Sequence, residues 1–206
     1  MDEARSVRDF WFGTAPPTAE ALTRRVPFWF GEGASALRAR RDAHIRARFG
    51  ALLERAARGE LDAWADGPRR RLSLIILLDQ FPRSIFRGTP RAFAHDGQAL
   101  ALTLSGMQSA ADAALTVVER IFFYMPLQHA ERAEVQEESV AAYRRLLAEA
   151  PEPLRGHFAG ALRSAENHHA IIERFGRFPH RNRALGRECT PPELDWLGAG
   201  GASFGQ

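Results

Sequence analysis

The feature that most constrains the fold is a short segment, residues 72–80, that is apolar on nearly every side when it is drawn as a helix. A helix without a polar face must be surrounded by other helices, because any exposed side would leave apolar surface in water. The segment ends in Asp79 and Gln80, with Pro82 just beyond, so we expect the helix to end there and its polar end to find partners inside the protein. The sequence therefore predicts a buried central helix with the rest of the chain packed around it.

The other segments also favour helices, since no stretch shows the sustained alternation of a strand. Apolar residues recur at helical spacing, and proline or glycine separates one segment from the next. Thr89 and Thr190 are predicted N-caps, each followed by a proline, and Gly176 is a predicted stop. The predicted helices cover residues 4–12, 18–30, 35–59, 69–80, 90–105, 112–125, 131–148, 154–175 and 190–196. These patterns predict an all-α protein that forms a single domain over residues 1–206.

Composition excludes several kinds of chemistry and partner. All 28 basic residues are arginine, so a Schiff-base lysine and a phosphate-loop lysine are excluded. Against 25 acidic residues the net charge is only +3, and we expect no nucleic-acid partner at this modest imbalance. The N-terminus lacks the apolar stretch of a signal peptide, and no segment is long enough to span a bilayer, so we expect a cytoplasmic protein without a membrane partner. The single cysteine, Cys189, fits a reducing compartment.

Two stretches combine a predicted helix end, a Phe-Pro pair and several arginines. The first, LDQFPRSIFRGTPR, covers residues 78–91, and the second, NHHAIIERFGRFPHRNRALGR, covers residues 167–187. Five arginines fall within fourteen residues of the second stretch. Because both stretches carry more charge than a helix-ending loop requires, we predict that they meet and form one polar site.

Together with FFYMPLQHAE at residues 122–131, these stretches resemble the bacterial family called domain of unknown function 924. The leading FWFG and the Ala- and Leu-rich helices in between fit the family too, so the resemblance covers nearly the whole chain. The resemblance implies a tetratricopeptide-repeat-like fold, a stack of antiparallel helical hairpins. No activity is established for the family, so the resemblance implies no reaction.

The resemblance also implies a set of site residues, taken position by position from three motifs, which are numbered in chain order: the first at residues 78–91, the second at residues 122–131 and the third at residues 167–187. The polar positions of the family signature are Asp79, Gln80, Arg83, Arg87, His129, Glu131, His168, Arg177, His180, Arg181 and Asn182. The sequence departs from the family at Ser84, Ala130 and Cys189, where asparagine, serine and serine are usual. Cys189 therefore has the character of a serine replacement, and Ser84 and Ala130 each lack a polar group that the family has.

These arginines and histidines allow two functional interpretations. Guanidinium groups bind carboxylates and phosphates at two points, so the site can bind an anionic small molecule, or a peptide or protein partner. Alternatively, the protein is an enzyme that acts on a small phosphorylated or carboxylated substrate, with an arginine clamp and a histidine as general acid or base. The candidate histidines are His129, His168 and His180. We expect at least one arginine to be free for the anion, because the third motif supplies almost no acids of its own. The candidate arginines are Arg83, Arg87, Arg177 and Arg181.

A structural interpretation competes with both. In it Asp79, Asp96 and Glu131 neutralise the arginines and fix the turns, since buried charges must be paired. A broad exposed groove would favour a binding protein, whereas a deep pocket with an unpaired imidazole would favour an enzyme.

Metal and nucleophile chemistry are not favoured by the motifs. Glu166 and His169 form one Glu-x-x-His spacing, but a di-iron bundle needs a second copy, and there is no HExxH motif or cysteine pair. No GxSxG elbow is present, and Cys189 lies beside a predicted helix cap. We expect no metal and no cofactor. The sequence does not indicate an oligomeric state.

Overall fold

The computed structural model describes residues 2–14, 18–30, 35–202 and 204, and these residues form helices and turns without a strand. The all-α prediction is confirmed for this part of the chain. The helices are α1 (Glu3–Phe12), α2 (Ala19–Phe30), α3 (Ser35–Ala57), α4 (Pro68–Ile85), α5 (Asp96–Gln108), α6 (Val117–Phe123), α7 (Met125–Gln128), α8 (Ala133–Glu149), α9 (Arg155–Phe175), α10 (Asn182–Leu185) and α11 (Pro191–Gly198).

The predicted central helix is α4, and every residue from 72 to 85 in it is buried. Helices α1, α3, α5 and α6 pack around it, so neighbours cover all of its sides. The predicted end at Gln80 is wrong, because α4 continues through Pro82 to Ile85. A proline inside a helix costs about 3 kcal/mol, and burial of the whole following turn offsets that cost.

Two other predicted boundaries also differ. Thr89 does not cap a long helix, because its hydroxyl donates to the carbonyl of Phe86 and only a short 3₁₀ turn, Pro90–Ala92, follows. Helix α5 therefore begins later, at Asp96. Helix α6 begins at Val117 because Thr116 forms a capping box there.

The helix boundaries in the C-terminal part are those predicted at Gly176 and Thr190. Helix α9 ends at Gly176, whose φ of 69° is a left-handed conformation that suits glycine. A 3₁₀ turn, Pro179–Arg181, leads into α10, and Thr190 is the N-cap of α11 as predicted, in a capping box with Glu193. Phe178 is fully buried in a small second apolar cluster. The third motif is thereby held against the end of α9.

The consecutive helices α3 and α4 pack together, as do α8 and α9. Across the described residues, none of the helices combines the length and apolarity needed to cross a membrane.

Candidate functional site

The first and third motifs meet at the carboxylate of Asp96, in the first turn of α5. Arg83 of α4 donates to both oxygens of this carboxylate, from Nη1 at 2.7 Å and from Nη2 at 2.8 Å. Arg181, from the 3₁₀ turn after α9, places Nη1 3.3 Å from Oδ2 of the same group. Both arginines are buried. The predicted contact between the two motifs is therefore present, with one acid bridging two cations.

A second acid, Asp79, joins the first motif to the FFYMPLQHAE motif. Its side chain is fully buried, and Oδ1 lies 2.6 Å from Nδ1 of His129 and 3.2 Å from Nη1 of Arg83. Gln80 also donates to Oδ2 of Asp79. Burial alone would raise the pKa of the Asp79 carboxyl, but its contacts with His129 and Arg83 outweigh burial and hold that pKa below its ordinary value. Asp79 is therefore a buried carboxylate anion.

His129 is the neutral partner in this pair. Burial and the nearby charge of Arg83 lower the pKa of its imidazole, against the opposing effect of Asp79. A neutral imidazole beside a carboxylate carries its proton on the nitrogen that faces the acid, so Nδ1–H donates to Asp79. The other nitrogen, Nε2, is then left with a free lone pair.

The remaining candidate histidines are also held neutral. His168 of α9 is only 4% exposed and has Nδ1 2.7 Å from the carbonyl oxygen of Ser164, and burial lowers its pKa to about 3. Its ring stacks on Phe204 with the ring centroids 3.8 Å apart. Burial and the charge of Arg181 lower the pKa of His180 to about 3 as well. The ring centroids of His129 and His168 lie 6.1 Å apart, so two neutral imidazoles are neighbours.

Each of the four candidate arginines has a carboxylate partner, so the expectation of a free one among them is wrong. Arg83 and Arg181 share Asp96. For the other two, Arg87 lies 3.0 Å from Asp42, and Arg177 makes a two-point contact of 2.7 and 2.8 Å with Glu193. These acids are distant in sequence from their partners, which is why the local composition of the motif did not show them.

Part of the third motif is fixed by a separate network. Glu131 accepts from the backbone N–H of Phe178 at 2.8 Å and pairs with Arg187 at 2.7 Å. Asn182 is buried and donates to Glu193, which is also the partner of Arg177 and belongs to the α11 capping box. These contacts tie α10 and α11 to the end of α9. In this structure Glu131, Arg177 and Asn182 act as structural contacts of that motif.

A cavity of about 320 Å³ lies beside the first of these networks. Its charged and imidazole lining consists of Arg38, Arg41, Arg83, Arg87, His129 and His168. Gln80 and two hydroxyls, Ser84 and Ser164, also line it, and Phe204 contributes an aromatic wall. No acidic side chain is found in this lining within the described part of the chain. The cavity thus presents guanidinium groups and neutral imidazoles together.

Two of these arginines, Arg38 and Arg41, lie on α3 outside the three motifs, so the motifs did not point to them. Arg41 is held by Asp42 at 2.8 Å, and Asp42 is also the partner of Arg87. The guanidinium group of Arg38 has no hydrogen bond or ion pair with any described residue, and Arg38 is only partly exposed. The two positions are three apart on one helix face, but only the packing of α3 shows what that face meets.

No group of three or more His, Cys, Asp or Glu side chains that could hold a metal ion occurs among the residues described. Glu166, one half of the Glu-x-x-His spacing, lies 3.5 Å from Arg144.

These features define an all-helical protein with an arginine- and histidine-lined cavity beside a buried central helix. The chain belongs to the family described as "Bacterial protein of unknown function (DUF924)", whose model matches residues 7–201. It is similar to the solved structure of a protein of unknown function from Agrobacterium tumefaciens, with 36% sequence identity, a TM-score of 0.77, and coverage of 94% of this chain and 96% of that one. No curated protein gives a match. The comparisons support the family and the helical fold, and they carry no activity.

Proposed function

We propose that the protein binds a small molecule bearing a phosphate or carboxylate group in the cavity lined by Arg38, Arg41, Arg83 and Arg87. The observation that carries this proposal is the charge of the lining. Among the described residues it has four guanidinium groups and no acidic side chain, and the guanidinium group of Arg38 has no hydrogen bond or ion pair with any of them. Guanidinium groups bind both anions at two points.

The ion pairs around the cavity leave an excess of positive charge. Asp42 is shared by Arg41 and Arg87, and Asp96 is shared by Arg83 and Arg181. Each of these carboxylates neutralises only one of its two arginines, so one positive charge remains in each group. Asp79 offsets part of this excess, and Arg38 adds a further charge. An anionic ligand would complete the balance in a partly enclosed space, where such contacts are stronger than in water.

The size of the cavity favours a small molecule over a peptide or protein partner. Its volume of about 320 Å³ is at the lower end of the range of roughly 300–1,000 Å³ that small-molecule sites occupy.

We infer in addition that α3 with α4, and α8 with α9, are hairpins of a tetratricopeptide-repeat-like stack, since these consecutive helices pack most extensively. We also propose that the protein works in the cytoplasm, in keeping with its single cysteine.

The test is a thermal-shift screen of phosphorylated and carboxylated metabolites on the wild type, followed by calorimetric titration of each hit. A ligand that binds only the folded state stabilises it by about 2.7 kcal/mol at a concentration of 100 Kd. Arg38→Ala should weaken binding roughly tenfold, because it removes one charged hydrogen-bond donor. It should leave the stability of the free protein unchanged, because the Arg38 side chain has no hydrogen bond or ion pair with the residues that the structure describes.

The matched control is Arg40→Ala, which removes the same charge from an exposed position on the same helix. Equal losses of affinity in the two variants, or a screen without hits, would contradict the proposal.

The contact between Asp79 and His129 favours a second candidate function, catalysis on the bound anion. A neutral imidazole whose Nδ1–H is held by a buried carboxylate is oriented to accept a proton at Nε2, and His129 lines the cavity. Incubating each hit with the wild type, with product detection by mass spectrometry, tests this function. His129→Gln should abolish turnover while keeping the affinity for the ligand within a few-fold of the wild-type value. If the wild type converts none of the bound compounds into a product, binding alone is the function.

A further inference from the structure

A second cavity, of about 530 Å³, lies among α1, α2, the start of α4 and the start of α6. Five arginines line it, against two acids. These are Arg5, Arg8, Arg24, Arg25 and Arg69, with Asp9 and Glu119. The residues of the first cavity do not enter this lining, apart from Trp29, which contributes to both walls.

The two acids in this lining are already engaged. Asp9 lies 3.4 Å from Arg5, one helical turn away. Glu119 accepts from the backbone and the hydroxyl of Thr116, at 2.9 and 3.0 Å, as part of the α6 capping box. Asp9 is therefore balanced by Arg5, whereas Glu119 is held by neutral groups and keeps its charge, so the lining carries three more positive than negative charges.

Four of the five arginines have no carboxylate partner among the described residues, and three of them have no side-chain partner of any kind there. Arg25 is fixed by the backbone carbonyls of Trp11 and Phe10. The guanidinium groups of Arg8, Arg24 and Arg69 make no hydrogen bond, ion pair or ring contact with any residue that the structure describes. They come from three different helices, α1, α2 and α4, and they converge on one cavity. Convergence from three elements distinguishes this group from the solvated face of one helix.

The floor of the cavity is apolar. Leu22, Trp29 and Val118 are buried side chains of the core, and Phe12 is partly exposed beside them. The indole N–H of Trp29 donates to the carbonyl of Trp11 at 2.8 Å, so this ring is fixed in place. A ligand with an apolar body would cover this floor while its anionic group reached the arginines.

We propose that this cavity is a second binding site, which takes a small amphipathic anion with an apolar body and a terminal phosphate or carboxylate. Arg8, Arg24 and Arg69 hold the anionic group, and the floor formed by Leu22 and Trp29 takes the body. This site is independent of the anion proposed for the first cavity.

The test is isothermal titration of the whole chain with octyl phosphate and octanoate, beside inorganic phosphate and 1-octanol as probes of the head group alone and the body alone. We expect saturable binding of one octyl phosphate or octanoate, tighter than that of either partial probe. Replacing both exposed arginines, Arg24→Ala with Arg69→Ala, should weaken this binding roughly tenfold or more, because two charged donors are lost.

The matched control replaces two exposed arginines that lie outside both cavities, Arg40→Ala with Arg163→Ala, and should leave the affinity unchanged. Arg38→Ala should also leave it unchanged, which separates this site from the first cavity. Equal affinities in the two double variants would overturn the proposal, as would the absence of saturable binding to the wild type. Inorganic phosphate binding as tightly as octyl phosphate would overturn the amphipathic class of ligand.

Discussion

Replacing Arg83 by alanine should destabilise the protein strongly, because this buried side chain joins the buried Asp79 to the partly buried Asp96. The side chain is only 10% exposed and makes contacts of 2.7 and 2.8 Å with Asp96 and 3.2 Å with Asp79. Removing one partner of a buried ion pair costs about 3–5 kcal/mol. Asp96 keeps Arg181 and Asp79 keeps His129, so we expect the lower end of that range. A loss of about 3 kcal/mol should lower the melting temperature by roughly 6–12 °C in a chain of this size.

The assay is urea unfolding followed by circular dichroism, with the midpoint and slope compared with those of the wild type. Arg40→Ala, at an exposed position, is the control and should stay within about 0.5 kcal/mol. Arg83→Met keeps most of the aliphatic stem, so the loss it shows reports the ion pairs alone. A loss of less than about 1 kcal/mol in the free energy of unfolding of both Arg83 variants would refute the reasoning, because removing a buried arginine that pairs with two acids should cost more than that.

Acid should destabilise the protein between pH 6.5 and pH 3, because burial lowers the pKa of His168 to about 3 and the unfolded chain then binds a proton that the folded chain does not. At pH 5 this residue alone should account for a loss of about 2 kcal/mol relative to pH 8; urea unfolding at both pH values checks this, and an unaltered pH dependence in His168→Gln would contradict it. Gly106→Ala should cost about 1–3 kcal/mol, because a Cβ there would lie 2.6 Å from Phe123 Cζ and 2.9 Å from Arg71 Cδ. Thermal melting should show no such loss for Gly97→Ala, whose Cβ meets nothing within 4 Å in the same helix, and equal losses would refute the packing argument.

The buried central helix could be predicted because its pattern is a property of the segment itself. Residues 72–80 are apolar all round, and a helix of that kind has one stable environment. Its true end at Ile85 could not be predicted, because a local rule about Pro82 was outweighed by burial against helices that are distant in sequence. Thr89 does not cap a long helix for a different, local reason: its hydroxyl donates to the carbonyl of Phe86, and only a short 3₁₀ turn follows.

The candidate site was predictable where its residues lie in the motifs, and not elsewhere. Arg83 and Arg181 meet through Asp96, as the charge of their motifs suggested. Arg38 belongs to no motif, and its position at the cavity depends on how α3 packs against α4. The partner of Arg87, Asp42, is 45 residues away in the chain, so pairing of this kind follows from the tertiary fold.

The claim that the arginine- and histidine-lined cavity binds an anion is tested most directly by soaking crystals of the protein in sodium tungstate, a phosphate-shaped ion with a strong anomalous signal. We predict an anomalous peak inside the cavity that Arg38 and His129 line, in contact with the guanidinium group of Arg38. The same soak on Arg38→Ala should lose that peak. An empty cavity in the wild type, with tungstate bound only at other surfaces, would contradict the claim.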